Sequence, residues 1–285
     1  MLHLEFLRGL RRSLVSTTAL SACLLTLSCH GQSSTRSQAA SAHIDSTTLR
    51  GDTLELIFAG DIMTHGPQIR AAAQADGSYD FAQSFSLVRP TIERADLAIG
   101  NLETTFGGKP YSGYPMFSSP EALAVALREA GFDVLTTSNN HSCDRRGYGI
   151  THTIDVLDSL GIATTGSYRN LSERPARTPL IQSVRGIKIA ILAYTYGTNG
   201  LPIPHPTVID TISKEHIAAD LRRADSLGAE YKIVQIHWGN EYEKSPNRAQ
   251  RELAQWLADQ GVDAVIGSHP HVVQESTRLQ GQDTQ

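Results

Sequence analysis

The chain is poor in cysteine, with three among 285 residues: Cys23, Cys29 and Cys143. Three thiols build neither a disulfide framework nor a cysteine-rich zinc site. Aromatic residues are scarce at 6%, which argues against the stacking platforms on which single-stranded nucleic acids are read. Basic residues are not in excess either. Lys+Arg is 25 against Asp+Glu 29, a formal charge of -4, so no electrostatic footprint for DNA or RNA is present and no nucleic-acid partner is expected. The longest apolar stretch, Leu14 to about Leu27, is too short and too rich in Ser and Thr for a good transmembrane helix. What the chain does have is an ordinary globular balance, 40% hydrophobic and 19% charged, and eleven histidines.

The N-terminus reads as an export leader over residues 1–28. Arg8, Arg11 and Arg12 form its basic region and the Leu14–Leu27 stretch its apolar one. Leu20-Ser21-Ala22-Cys23 spells the usual lipobox of bacterial lipoproteins, and Thr26-Leu27-Ser28-Cys29 a looser version. In both, a small residue precedes a thiol that would carry diacylglycerol. Cys29 is the favoured lipidation site, because it leaves an apolar region of normal length and a polar tether follows directly. Cys23 is the alternative, a better consensus match with a shorter apolar region. A plain secretory leader with incidental cysteines is a third reading. Residues 29–52, rich in Ser, Thr, Gln and Ala, cannot bury a core and read as a flexible linker. The expected location is the bacterial cell envelope, with the protein held at the membrane by lipid.

From about Thr53 the pattern changes to short β-branched runs alternating with helical-period segments, and a single domain over 53–285 is expected. Strands are expected at 54–59, 95–99, 132–136, 162–165, 179–184, 187–194, 231–236 and 262–266. Helices are expected at 120–130, 148–160, 213–227 and 247–260, with Gly131, Gly161, Gly228 and Gly261 just past their ends. This alternation predicts an α/β domain with helices covering a sheet.

The residues following the strands carry the chemistry. Gly60-Asp61-Ile62-Met63 follows the first and Gly100-Asn101-Leu102-Glu103 the second. Ser138-Asn139-Asn140-His141 follows the third, with Asp144 close behind; His237-Trp238-Gly239 and Gly267-Ser268-His269-Pro270-His271 follow the last two. In open α/β sheets, ligands bind beyond the carboxyl ends of strands. Five strand ends would therefore bring carboxylates, amide oxygens and imidazoles to one edge, a donor set suited to one or two divalent ions. Taken singly each has a plain structural reading: Asp61 as a turn residue, Asn101 as an Asx-turn, Glu103 as a surface acid, His237 as a satisfied core histidine. Their shared placement is what favours a metal site.

These segments resemble the motifs of the capsule synthesis protein CapA family (the PGA_cap domain), in order, over roughly residues 54–275. That family is linked to poly-gamma-glutamate biosynthesis and belongs to the calcineurin-like metallophosphoesterase superfamily. The resemblance implies a metallophosphatase-like fold, two sheets sandwiched between helices. It implies that Asp61 holds a first metal, that Asn101 and Glu103 occupy the place of the bridging acid, and that Asn140, His237 and His269 hold a second metal. His271 would complete the first, and His141 would be the general acid or transition-state stabiliser. Mn, Fe or Zn would be the ion.

Two positions depart from the superfamily pattern, Met63 where a histidine is usual and Asn101 where an aspartate is usual; the capsule family shares both. Either Glu103, with its longer side chain, compensates, or the site holds one ion, or none tightly, and phosphatase activity is not implied. Relatives continue past the His-x-His motif, whereas this sequence stops at Gln285, so a sheet edge left unpaired by a shortened C-terminus is a further expectation.

Two cations would acidify water and clamp the reacting oxygens of a phosphoester, or of an amide in a gamma-linked glutamate polymer. Arg145 and Arg146 are candidates to pair with anionic substrate groups, and Tyr114 lies in a plausible substrate loop. The rival reading is non-catalytic: an envelope subunit that binds or presents polymer to a membrane synthase.

Overall fold

The computed structural model describes residues 2–7 and 53–281. The lipobox, both candidate lipidation cysteines and the polar tether lie outside the described residues. One compact unit begins at Glu55 and takes in the rest of the described chain together with the first residues. A second, Glu5–Leu54, is described only at its two ends.

The first half supplies a sheet and its covering helices. Its strands are β1 (Leu2–Leu7), β2 (Thr53–Ile62), β3 (Leu97–Leu102), β4 (Val134–Thr136) and β5 (Ala163–Thr165), in the order β1-β2-β3-β4-β5. β2 to β5 run parallel. Its helices are α1 (Gly66–Ala72), α2 (Ala82–Phe85), α3 (Arg89–Arg94), α4 (Ala122–Glu129) and α5 (Arg146–Ser159). β1 falls within the segment expected to be a leader.

The second half begins with β6 (Ser167–Tyr168) and α6 (Arg174–Arg177), followed by β7 (Leu180–Val184), β8 (Ile187–Thr195), β9 (Val208–Ile209) and α7 (Lys214–Ser226). It closes with β10 (Tyr231–His237), α8 (Arg248–Asp259) and β11 (Ala264–Ser268). The second sheet has the order β11-β10-β8-β7, with β8, β10 and β11 parallel and β7 antiparallel to β8. β6 and β9 form a short antiparallel ribbon. The expected α/β architecture, two sheets with helices on their outer faces, is what forms.

Side-chain alternation explains the layering. On β3, Ala98 and Leu102 join α4 and α5 in one apolar cluster that includes Leu123, Leu127 and Leu157. On β10, Val234 and Ile236 join Ile217 and Leu221 of α7 and Leu257 of α8 in another. The intervening residues, Ile99 and Asn101 on β3 and Gln235 and His237 on β10, point to the opposite faces, because successive strand side chains alternate. The polar residues therefore meet between the sheets, at the carboxyl ends of the strands.

The strands run further than the pattern predicts. Asp61 and Asn101 lie inside the last pairs of β2 and β3 and face one another in register, after an irregularity between Ala59 and Asp61. His237 is the last residue of β10, paired with Thr195 and Ser268. The ladder carries through Gly100, which pairs with Ala59, whereas Gly60 is exposed and sits in the irregularity without a partner on β3.

Candidate metal centre

Asp61 is the hub. Its Oδ1 accepts a hydrogen bond from Asn101 Nδ2 at 2.8 Å, and its Oδ2 lies 2.8 Å from His271 Nδ1. The His269 backbone N–H reaches Oδ2 at 3.1 Å. His269 and His271 both adopt positive φ, 97° and 55°, a region rare for residues other than glycine and found most often where function demands it. The turn so formed returns the chain after β11 to the end of β2. Burial alone would raise the Asp61 carboxyl. The hydrogen bond with His271, the nearby His237 and the Asn101 amide outweigh it and hold the group well below the usual carboxylate range.

His237 stands between the two halves of the site. Its Nε2 lies 2.8 Å from Asn140 Oδ1, which can only accept, so this nitrogen carries the proton. Nδ1 is left to accept from Asn101 Nδ2 (3.3 Å) and Ser268 Oγ (3.1 Å). Burial pushes the imidazole down to about 3, against the pull of Asp61. His269 is lowered too, first by burial, with Glu241 opposing. Both are neutral at pH 7, the form that ligates a metal. His271 is raised, chiefly by its hydrogen bond to Asp61.

Glu103 is the unusual residue. It has 0% exposure, and neither carboxylate oxygen has a hydrogen-bond partner. Burial and the charge of Asp61 push it up to about 10. Its Oε1 lies 3.6 Å from His237 Nε2. His269 Nδ1 is likewise buried without a partner. A buried polar group left unpaired costs free energy, and natural proteins seldom tolerate it without a reason. Glu103 belongs to two groups whose ligand atoms all lie within 4.8 Å of one another: Glu103 with His237 and His269, and Glu103 with Asp61 and His271. Carboxylate oxygens and neutral imidazoles are the donors divalent transition ions prefer. The residues fit one or two such ions, with the Glu103 carboxylate common to both positions.

Of the sequence-derived candidates, Asp61, Asn101, Glu103, Asn140, His237, His269 and His271 all converge here. Asn101 directs its amide nitrogen at Asp61, and its Oδ1 lies 3.3 Å from Asn139 Nδ2. His141 is buried beside them, with Nδ1 2.7 Å from Asp144 Oδ2. That same carboxylate oxygen accepts the Phe117 N–H at 2.6 Å, and the Phe117 ring meets His141 edge-on at 4.6 Å. Asp144 thus fixes the proton on Nδ1 and leaves Nε2 for chemistry.

The substrate candidates sit differently. The Arg145 guanidinium donates to the Pro110 carbonyl (2.6 Å) and Ser112 Oγ (3.0 Å), bracing the loop that carries Tyr114. Arg146 is exposed at the start of α5, and Tyr114 is 75% exposed.

Sequence reasoning passed over Tyr196, which follows β8. Its ring stacks parallel to His237 at 6.3 Å and tilts on His269 at 4.8 Å. The strand-end rule would have found it, had attention not been restricted to residues with ligand chemistry.

An α/β scaffold presenting acids and imidazoles between two sheets defines a protein with a buried candidate metal centre. The family model described as bacterial capsule synthesis protein PGA_cap matches residues 55–282, and the chain belongs to that family. It is 28% identical over 240 residues to the capsule biosynthesis protein CapA of Bacillus anthracis, covering 78% of this chain and 56% of that protein. It is 29% identical over 243 residues to the PGA biosynthesis protein CapA of Bacillus subtilis, covering 80% and 60%. The chain therefore spans less than two thirds of the length of these relatives. Among solved structures, the Haemophilus influenzae NAD nucleotidase is similar with a TM-score of 0.43 and 16% identity, over 67% of this chain and 32% of that one.

Proposed function

We propose that this protein is a lipid-anchored envelope component of capsule or poly-gamma-glutamate biosynthesis or processing, and that it works as a metal-dependent hydrolase. The observation that carries the reading is the Glu103 carboxylate, wholly buried, unpaired and common to two clusters of ligand atoms. Such ions, when bound, would polarise a phosphoryl or carbonyl oxygen and supply a nucleophile at neutral pH. The chain's own part is orientation. Asp144 holds His141 with Nε2 available to protonate a leaving group. Asn101 and Ser268 hold His237, and the turn at His269–His271 holds Asp61. The relatives named for capsule and PGA biosynthesis motivate the choice of an anionic polymer as substrate; a phosphoester substrate and a membrane synthase as neighbour are part of the proposal.

The test is elemental analysis of the purified protein beside hydrolysis of phosphoesters and gamma-glutamyl peptides. Stoichiometric Mn, Fe or Zn is expected. His237→Ala should lose both metal and hydrolysis. His141→Ala should keep the metal and lose roughly 10²- to 10⁴-fold in turnover. Protein that takes up no transition metal and hydrolyses none of these substrates would refute the enzyme reading. The second reading, a polymer-binding or scaffold subunit, draws support from Asn101, which offers Asp61 an amide donor rather than a second acid.

The anchor is assigned to Cys29. Radiolabelled palmitate incorporation should disappear in Cys29→Ala and persist in Cys23→Ala; the opposite pattern moves the anchor to Cys23.

Among the described residues, no helix is long and apolar enough to cross a membrane.

A further inference from the structure

The loop after β8 starts beside a candidate ligand. Tyr196 N–H donates to the His237 carbonyl at 3.0 Å. A few residues on, Leu201 N–H donates to the Thr198 carbonyl at 2.9 Å, and the residues between them both have positive φ, 51° at Asn199 and 72° at Gly200. This is a type I′ turn, for which Asn-Gly is a favoured pair. A plain structural reading of Asn199 would stop there, because Asp-Gly and Gly-Gly satisfy the same backbone. The turn does not dictate where the carboxamide points. Asn199 Oδ1 accepts from Asn140 Nδ2 at 3.3 Å and from the Tyr196 hydroxyl at 3.4 Å.

Asn140 is buried, and its carboxamide has two unlike ends. Oδ1 lies 2.8 Å from His237 Nε2, the same nitrogen that lies 3.6 Å from Glu103 Oε1. Nδ2 is directed away from His237, at Asn199. Only the oxygen has lone pairs for a cation; turned end for end, the same side chain would aim N–H groups at it. Without an ion, the His237 Nε2 proton holds the oxygen in place. With a cation on that nitrogen the proton is no longer there, and the contact with Asn199 keeps the oxygen turned inward. Partners of this kind orient the groups that touch a metal and are felt in its affinity.

We propose that Asn199 is a positioning residue for the metal centre: by accepting from Asn140 Nδ2, it keeps Asn140 Oδ1 directed at the cation. The inference rests on the metal-centre reading above and adds to it a residue outside every ligand motif.

Calorimetric titration of Mn into the metal-stripped full chain tests it with substitutions that all keep the turn. Asn199→Gly removes the acceptor and should weaken binding roughly tenfold. Asn199→Asp keeps an oxygen at that place and should bind at least as tightly as wild type. With Asn140→Asp, both ends of the side chain at 140 are oxygens, so adding Asn199→Gly should change affinity by less than about twofold. A role confined to the scaffold predicts instead a loss of equal size in both backgrounds. That pattern, wild-type affinity in Asn199→Gly, or weakened binding in Asn199→Asp overturns the proposal and leaves the metal centre standing. Wild-type protein that takes up no Mn overturns the centre and this role with it. The expected pattern in a protein that hydrolyses nothing upholds the role of Asn199 and refutes only the hydrolase reading.

Discussion

Glu103→Gln should reduce affinity for divalent transition ions at both positions of the centre, by at least about 100-fold, while the folded protein becomes no less stable. Metal affinity falls because the glutamine amide replaces the one carboxylate that both ligand groups share. Loss of any other acid or imidazole removes a ligand from only one group. Stability is preserved because the side chain is nearly isosteric and the wild-type carboxyl is already held neutral up to about 10 by burial and by Asp61. Titration of Zn or Mn into metal-stripped wild type and variant measures the first effect, and denaturant unfolding the second. Near-wild-type metal affinity in the variant would remove Glu103 from the centre.

The same residue sets a pH dependence. A cation can bind the Glu103 carboxylate only after displacing its proton. Apparent affinity should therefore rise by up to about tenfold per pH unit as pH increases below about 10. His237, neutral above about 3, adds nothing to this slope near neutrality. His271, raised by Asp61, steepens it on the acid side. For folding without metal the sign is opposite. A carboxyl whose folded value is raised from 4.5 to about 10 binds more protons in the native state than in the unfolded one. Its contribution is fully present below 4.5 and is lost as pH rises toward 10. Glu103→Gln should remove the Glu103 contribution to both slopes, leaving for metal binding only the His271 part on the acid side, and titrations at three pH values in buffers of different ionisation enthalpy would read the released proton directly.

The edge at which these groups meet was legible in the sequence because it depends on a local signal, the residue type at the end of each strand. Asp61, Asn101, Glu103, Asn140, His237, His269 and His271 all carry that signal. Tyr196 carries a weaker one, since a tyrosine after a strand is chemically unremarkable until its neighbours are known. That Glu103 faces both ligand groups carries no local signal; it was anticipated only through the resemblance, which puts Asn101 and Glu103 in the place of the bridging acid. It depends on the register of β2 against β3 and on the approach of one sheet to the other. The short helices α1, α2, α3 and α6 were also invisible, because four to seven residues span too few turns to display a period. Arg145 shows the opposite error of emphasis. Its place after an Asn-His motif suggested substrate, whereas its guanidinium is engaged by the loop at 110–112.

Arg174→Ala should be the most destabilising single substitution away from the centre, at about 3–5 kcal/mol. Its Nε donates to Asp210 Oδ1 at 2.6 Å, and its two terminal nitrogens donate to the Asp220 carboxylate at 3.0 and 2.5 Å. Both acids are buried, and each accepts a further hydrogen bond at 2.7 Å, from Tyr168 to Asp210 and from Tyr194 to Asp220. Removing the guanidinium strands two carboxylates without a counter-charge. Burial already raises Asp210, with Arg174 opposing. Without Arg174 its folded value climbs further above 3.8, so the deficit should be smallest in acid and grow as pH rises. The consequence reaches the metal centre through the backbone. The Asp210 carbonyl accepts from Ser138 Oγ at 2.5 Å and from the Thr195 N–H at 3.0 Å, so it braces the segments that carry Asn140 and Tyr196. Urea unfolding at pH 5 and pH 8 measures the loss. The triple variant Arg174→Met, Asp210→Asn, Asp220→Asn should recover most of it, because asparagine oxygens still accept from the tyrosines and no charge is left buried. A deficit below about 1 kcal/mol in Arg174→Ala, equal at the two pH values, would show that the ion cluster contributes no more than a surface pair.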